Sequence, residues 1–449
     1  MKSRAPRIAL TALTALSGLL CWLATAATAH ADDTVPEEQW NAKFQATYVW
    51  QGKSAMHAAY SGANSLHAAS ETSYSFTTTA ALGWRPWSGG ELYLDPEAAQ
   101  GKPLSDLTGL GCFTNGEMAR SAGTTIKAYR ARAIWRQTWG DGGPQDAVQS
   151  AANQLAGMVD RRRWVLTVGN QSVQDIFDNN RYSHDPRTQF LNWSLMTHGA
   201  YDYAGDARGY TWGLAVERYL DEWVLRAGRY AEPKLPNQQA LDAQIFVHHG
   251  DQVELEHAHQ VGGLDGKLRL LAFRNRMHMS RYQDALDQGE ATASTPDLNA
   301  VRSADHVKWG LGLNLEQTLG DDVGVFARAS WADGATETYA FTEIDRSLSG
   351  GVVWQGAAWG RGGDTLGLGW VRNGLSQAHR DYLAVGGMGF FIGDGQLRYR
   401  PEQIIEAVYS LALGEHLWAS LDVQHIRNPA YNADRGPVRV SAVRLHTEF

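Results

Sequence analysis

The stretch Val438–Phe449, VRVSAVRLHTEF, alternates polar and apolar residues and stops at an aromatic carboxy terminus. A soluble domain loses little when a terminus frays, so a strand running to the last residue points to a structural demand at that position. The closing strand of an outer-membrane barrel makes such a demand, because it pairs with the first strand and leaves no open edge. Phe449, Leu445 and Val443 share a phase that Val440 and Val438 do not, so a bulge near Ala442 is expected.

The other end of the chain agrees. Lys2, Arg4 and Arg7 precede an apolar run from Ile8 to Leu23, and Ala29-His30-Ala31 places small residues where a signal peptidase cuts. Residues 1–31 are therefore expected to be a cleaved export signal and residues 32–449 the barrel domain. The run is shorter than the roughly 20 apolar residues a membrane helix needs. Cys21 follows Leu20, which does not suit a lipoprotein site, and Cys112 is left as the single cysteine beyond the signal, which rules out an internal disulfide. The formal charge of −8 becomes more negative once three cations leave with the signal, so nucleic acid is excluded as a partner. No Pro/Ser linker or change of composition divides the remainder.

A mean hydropathy of −0.37 is no argument against a barrel, since only alternate strand residues meet lipid. The period decides. Trp309, Leu311, Leu313 and Leu315 oppose Lys308, Gly310, Gly312, Asn314 and Glu316. The same alternation runs through Val323–Trp331, Tyr210–Val216, Trp223–Ala227, Leu366–Trp370, Ile405–Leu413 and Leu417–Val423. Weaker candidates lie at Phe44–Trp50, Tyr74–Trp84, Glu91–Leu94, Tyr129–Trp139, Trp164–Val168, Gln252–His259, Leu268–Arg274 and Ser347–Trp354. Together they predict an all-β transmembrane antiparallel β-barrel of about 16 strands.

Connection lengths sharpen this. Short links at Pro86–Gly90, Tyr219–Glu222, Gly262–Gly266, Leu319–Asp322, Gly360–Asp364 and Gly414–His416 alternate with long polar ones, the pattern of short periplasmic turns and long extracellular loops. Asp141–Arg163 is long where a turn is due, and Val148, Ala151, Ala152, Leu155 and Met158 suggest a periplasmic or barrel-plugging helix there. Tryptophans such as Trp40, Trp84, Trp139, Trp212, Trp223 and Trp309 fall near strand ends, where interfacial girdles belong.

Several stretches resemble the carbohydrate-selective porins of the OprB family: Gly169–Asn192 (GNQSVQDIFDNNRYSHDPRTQFLN), Trp223–Asn237 (WVLRAGRYAEPKLPN), Gly393–Glu406 (GDGQLRYRPEQIIE) and Leu421–Phe449. The similarity spans most of the mature chain and is densest from about residue 164 onward. It implies a sixteen-stranded outer-membrane barrel with a sugar-selective, diffusive channel for mono- or small oligosaccharides, no cofactor and no enzymatic activity. Its partners are carbohydrate solutes and outer-membrane lipid, with a monomeric or homotrimeric assembly.

A water-filled constriction admits a polar solute through the donors and acceptors that line it. Arg130, Arg132 and Arg136 alternate with Tyr129, Ala131, Ala133 and Trp135, so three guanidinium groups are expected on one lumen-facing side. Glu217, Arg226, Glu254, Glu256, Arg328, Arg372, Glu406 and Asp422 are placed on the lumen phase as well. An inward-folding loop over Asp175–Asn192 offers Asp175, Asp178, Asn179, Asn180, Arg181, Asp185, Arg187 and Gln189 to sugar hydroxyls, with Phe177, Tyr182, Phe190 and Trp193 to stack on sugar C–H faces. The plainer alternative is that these charges pair with one another to hold the loop against the wall.

The arginines also suit a channel for acidic solutes such as sugar acids. An outer-membrane enzyme or a secreted sugar-binding β-protein would be the alternatives of another class. His257-Ala258-His259 and His248-His249 are conceivable metal ligands, but His257 and His259 fall on the lipid phase, and no metal is expected. Asp202–Asp206 has no EF-hand spacing for calcium.

Overall fold

The computed structural model describes residues 35–120 and 123–449, so the expected export signal at residues 1–31 lies outside the described residues. The strands are β1 (Trp40–Lys53), β2 (Glu71–Trp87), β3 (Gly90–Lys102), β4 (Lys127–Gly140), β5 (Gln145–Val148), β6 (Gly157–Asp160), β7 (Arg163–Gln171), β8 (Thr211–Leu220) and β9 (Trp223–Tyr230). They continue as β10 (His249–Val261), β11 (Leu264–His278), β12 (Asp305–Thr318), β13 (Val323–Ala332), β14 (Arg346–Gln355), β15 (Thr365–Gly374), β16 (Glu402–Ala412), β17 (Leu417–Arg427) and β18 (Val438–Glu448). Sixteen of them form one closed antiparallel barrel in sequence order, with β4 next to β7 and β18 returning to β1. β5 and β6 form a separate two-stranded ribbon.

Alternation dictates the wall. On β12, Trp309, Leu311 and Leu313 stand exposed on the outside while Lys308, Asn314 and Glu316 are buried inside. Exposed tryptophans gather in two bands. Trp40, Trp84, Trp139, Trp164 and Trp223 lie towards the short turns, and Trp50, Trp212 and Trp309 lie towards the long loops, with Trp309 against Trp331 at 4.7 Å between ring centroids. An apolar belt between two aromatic bands is the surface a bilayer requires.

The lumen is not an empty tube. Long connections fold into it and build an apolar core in which Trp193 stacks on Phe341 at 5.0 Å and Tyr203 on Phe341 at 4.8 Å. This core explains why the expected bulge near Ala442 is absent. β17 and β18 pair without interruption from Leu417↔Thr447 to Ile426↔Val438. Val438, Val440 and Ala442 point inward and are buried, because at that level the lumen is lined by packed loops rather than water.

The link over residues 141–163 is not a helix. Gly142, Gly143 and Asn153 adopt positive φ, β5 pairs with β6, and the apolar spacing arises from a hairpin and its tip. The tip turns back into the mouth of the barrel, where Leu155 packs with Tyr93 and Ile134. Asn41 Nδ2 donates to the carbonyls of Ala151 (3.2 Å) and Gln154 (3.0 Å), and Asn153 Nδ2 donates to Asp95 Oδ2 (2.9 Å).

Candidate functional site: the lumen loop and the cavity beside it

The connection from β7 to β8 enters the lumen with Ser172 and Asp175 closing a capping box, then crosses to the opposite wall before the short helix α1 (Trp193–Met196). An irregular segment inside a barrel leaves backbone N–H and C=O groups that cannot reach bulk water, and each unmet group costs on the order of 1–3 kcal/mol. Charged wall residues meet them. Glu254 Oε2 accepts from Asp178 N (2.8 Å), Glu316 Oε2 from Arg181 N (2.8 Å), and Glu406 from Leu191 N (2.6 Å) and Asn192 N (3.0 Å). Arginines take the carbonyls: Arg328 donates to Leu195 O (2.8 Å) and Ser183 O (2.7 Å), and Arg444 donates to Pro186 O and Gln189 O, each at 2.7 Å.

Asp178 is the centre of this clamp. Its carboxylate accepts from Arg328 Nε (3.0 Å), Asn314 Nδ2 (2.5 Å), Thr197 Oγ1 (2.8 Å) and His198 N (2.7 Å), which holds its backbone at φ 57. Burial opposes its ionisation, but the Arg328 guanidinium and the donors around it more than offset this and hold the carboxyl below the usual range. Asn180 donates to Asn314 Oδ1 at 2.7 Å. Of the predicted site residues, then, Asp178, Asn180, Glu254 and Glu406 are buried in contacts between loop and wall. Glu217 and Arg226 are also buried, with Arg226 bridging Glu217, Glu254 and Glu256 at 2.9–3.2 Å.

A second set faces open space. A cavity of about 450 Å³ lies between the loop, the wall from β18 through β1 to β4 and the 141–163 hairpin, and Asp95, Arg132, Asn153, Asp185, Arg187 and His446 line it. Arg132 holds Asp175 bidentately (2.7 and 2.6 Å) and reaches Asp95 at 3.1 Å. Arg187 spans from loop to wall, with Nε 3.2 Å from Glu117 and Nη2 3.1 Å from Glu97. Arg136 lies deeper towards the short-turn end, donating to Asn153 O at 3.0 Å. Asn179 and Arg181 border a different cavity of about 840 Å³ on the far side of the loop. The arrangement supplies paired guanidinium and carboxylate groups around open space, a polar surface on which Arg132 and Arg187 are each matched by two carboxylates.

Two expected lumen residues lie on the other face. The β3–β4 register shifts between Asp95 and Pro96, and Ala131 becomes an extra residue on β4. Its carbonyl is met by Asn170 Nδ2 at 2.6 Å. The extra residue turns Arg130 outward, over the exposed Trp212 ring at 5.0 Å, and breaks the arginine ladder. Arg372 shares the outward phase of Leu366, Leu368 and Trp370 and is exposed. Asp95, Glu97 and Glu117 escaped the sequence reading because Pro96 interrupts the alternation of β3 and Glu117 sits in a link without periodicity. Asp202 accepts from Tyr339 N (2.8 Å) and Ala340 N (2.7 Å), which makes it a bracket between loops. His257 faces outward against Trp223 at 4.2 Å.

A profile described as carbohydrate-selective porin, OprB family, matches residues 65–449. Among solved structures, the fold is similar to the high-pH structure of Pseudomonas putida OprB, at TM-score 0.69 and 15% identity over 92% of this chain and 94% of that one. Pseudomonas aeruginosa OccK2 (OpdF) superposes at TM-score 0.46 and 9% identity, over 91% and 97% of the two chains. No curated protein sequence matches.

Proposed function

Because the chain belongs to the carbohydrate-selective porin OprB family and is an outer-membrane porin for carbohydrate uptake, we propose that neutral mono- or small oligosaccharides diffuse past Arg132, Asp175 and Arg187. The observation that carries this is the pairing at the cavity. Each accessible guanidinium there is matched by carboxylates, Arg132 by Asp175 and Asp95 and Arg187 by Glu97 and Glu117. A polyol can exchange hydrogen bonds with such a surface, whereas an anion gains no net attraction from it. Arg136 extends the polar lining towards the short turns, Asn179 offers polar atoms to the separate cavity on the far side of the loop, and Asp178, Asn180, Glu217, Arg226, Glu254 and Glu406 act by fixing the shape of the loop between them. The rings of Tyr210 and Tyr129 pack under Arg132 and Arg208 and help hold those guanidinium groups in place. No catalytic step, cofactor or metal enters this transport, residues 1–31 direct export, and residues 32–449 form the barrel in lipid, alone or as a homotrimer.

Liposome swelling tests the reading. Neutral sugars should permeate faster than size-matched amino acids and sugar acids, and equal rates would refute it. A reversal potential showing strong anion preference would favour the sugar-acid alternative.

A further inference from the structure

At the long-loop rim, on the outer face of the barrel, three side chains from different segments meet. His248 precedes β10, His278 ends β11 and Asp305 begins β12, where it is the register partner of His278. His248 Nε2 and His278 Nδ1 each lie 3.1 Å from Asp305 Oδ1, and the three donor atoms fall within 4.8 Å of one another. Four ligands about 2.0 Å from a zinc ion stand roughly 3.3 Å apart along the edges of a tetrahedron, so small side-chain rotations would bring these three into that range.

We propose that His248, His278 and Asp305 bind a divalent zinc ion, with solvent as the fourth ligand. The surroundings suit this. Asp242 Oδ2 lies 2.6 Å from His248 Nδ1 and can accept its proton, which leaves Nε2 to a metal once its own proton is displaced. A carboxylate behind an imidazole is the usual support of a metal-bound histidine. Arg276 engages the second oxygen, Oδ2, of Asp305 at 3.2 Å, which orients Oδ1 towards the two rings. Two imidazoles and one carboxylate favour zinc over calcium or magnesium, which prefer oxygen ligands throughout. His278 is about half exposed, which leaves the outer side of the site open to water. Occupied, the ion ties the β9–β10 connection to the tops of β11 and β12.

The test uses untagged, folded protein in detergent after treatment with a chelator. Calorimetry with zinc chloride should show one tight site per chain, and cobalt(II) should give the visible absorption of a tetrahedral complex. His278→Ala and the isosteric Asp305→Asn should each lower zinc affinity about 100-fold, and Asp242→Asn about 10-fold, if support scales as in other metal sites. Heat-modifiable gel mobility verifies that each variant still forms the barrel. Zinc binding equal in the parent and a His248→Ala/His278→Ala double variant would overturn the proposal, as would equal competition by calcium.

Discussion

Arg328 Nε lies 3.0 Å from Asp178 Oδ1 with both side chains fully buried, so one ion pair joins the strand wall to the loop that shapes the lumen. Removing one partner strands the other charge away from water, at a cost of about 3–5 kcal/mol. Arg328→Ala should lower the thermal midpoint and raise single-channel conductance as the loop loosens. Replacing both, as Asp178→Asn with Arg328→Met, should cost much less. Both are read by heat-modifiable electrophoresis and planar-bilayer recording.

Arg187→Ala should widen the cavity and weaken discrimination between sugars and amino acids several-fold. Arg132→Ala should do the same and also release Asp175. Arg130→Ala serves as the contrast, since its side chain lies outside over Trp212, and conductance and selectivity should stay at parental values. Liposome swelling with a sugar series compares the three.

Residues 141–162 can be replaced by an Asn-Gly turn, because Gly140 and Arg163 are register partners that a two-residue turn can join. The barrel should still fold. Conductance should rise, because the tip that carries Asn153 and Leu155 no longer occupies the mouth.

Glu232 is fully buried, and neither carboxylate oxygen has a hydrogen-bond partner among the described residues. Burial, reinforced by Asp202, raises its pKa well above the ordinary carboxylate value, so it is neutral in the fold over a wider range than in the unfolded chain. Its contribution to stability is fully present below the unfolded pKa and is lost as pH rises through the folded one. Glu232→Gln, which is neutral throughout, should match the parent at pH 4 and exceed it at pH 9. Thermal midpoints at the two values decide it.

The wall was legible in the sequence because lipid outside and loops inside impose a strict period of two, and the short turns supply the count. Leu311, Leu313 and Leu315 give their strand away without any partner. Arg130 misled because one inserted residue, Ala131, reverses the facing of everything beyond it, and no local pattern announces the insertion. The helix expected at residues 141–163 had the right spacing for the wrong reason. Its glycines and Asn153 favour a turn, and Leu155 finds its apolar partners on strands far away in sequence. The split between clamping and accessible charges was not legible, since Asp178 and Asp175 are three residues apart in one polar run and differ only in what lies beyond them.

The aromatic interior around Trp193, Tyr203 and Phe341 gives this chain two folding problems in two media. The outer surface matures by partitioning into hydrocarbon, whereas the interior packs by excluding water, as a soluble domain does. Chaotropes solvate apolar and peptide groups exposed to water, so they should loosen this interior before the lipid-facing wall and leave a more conducting barrel.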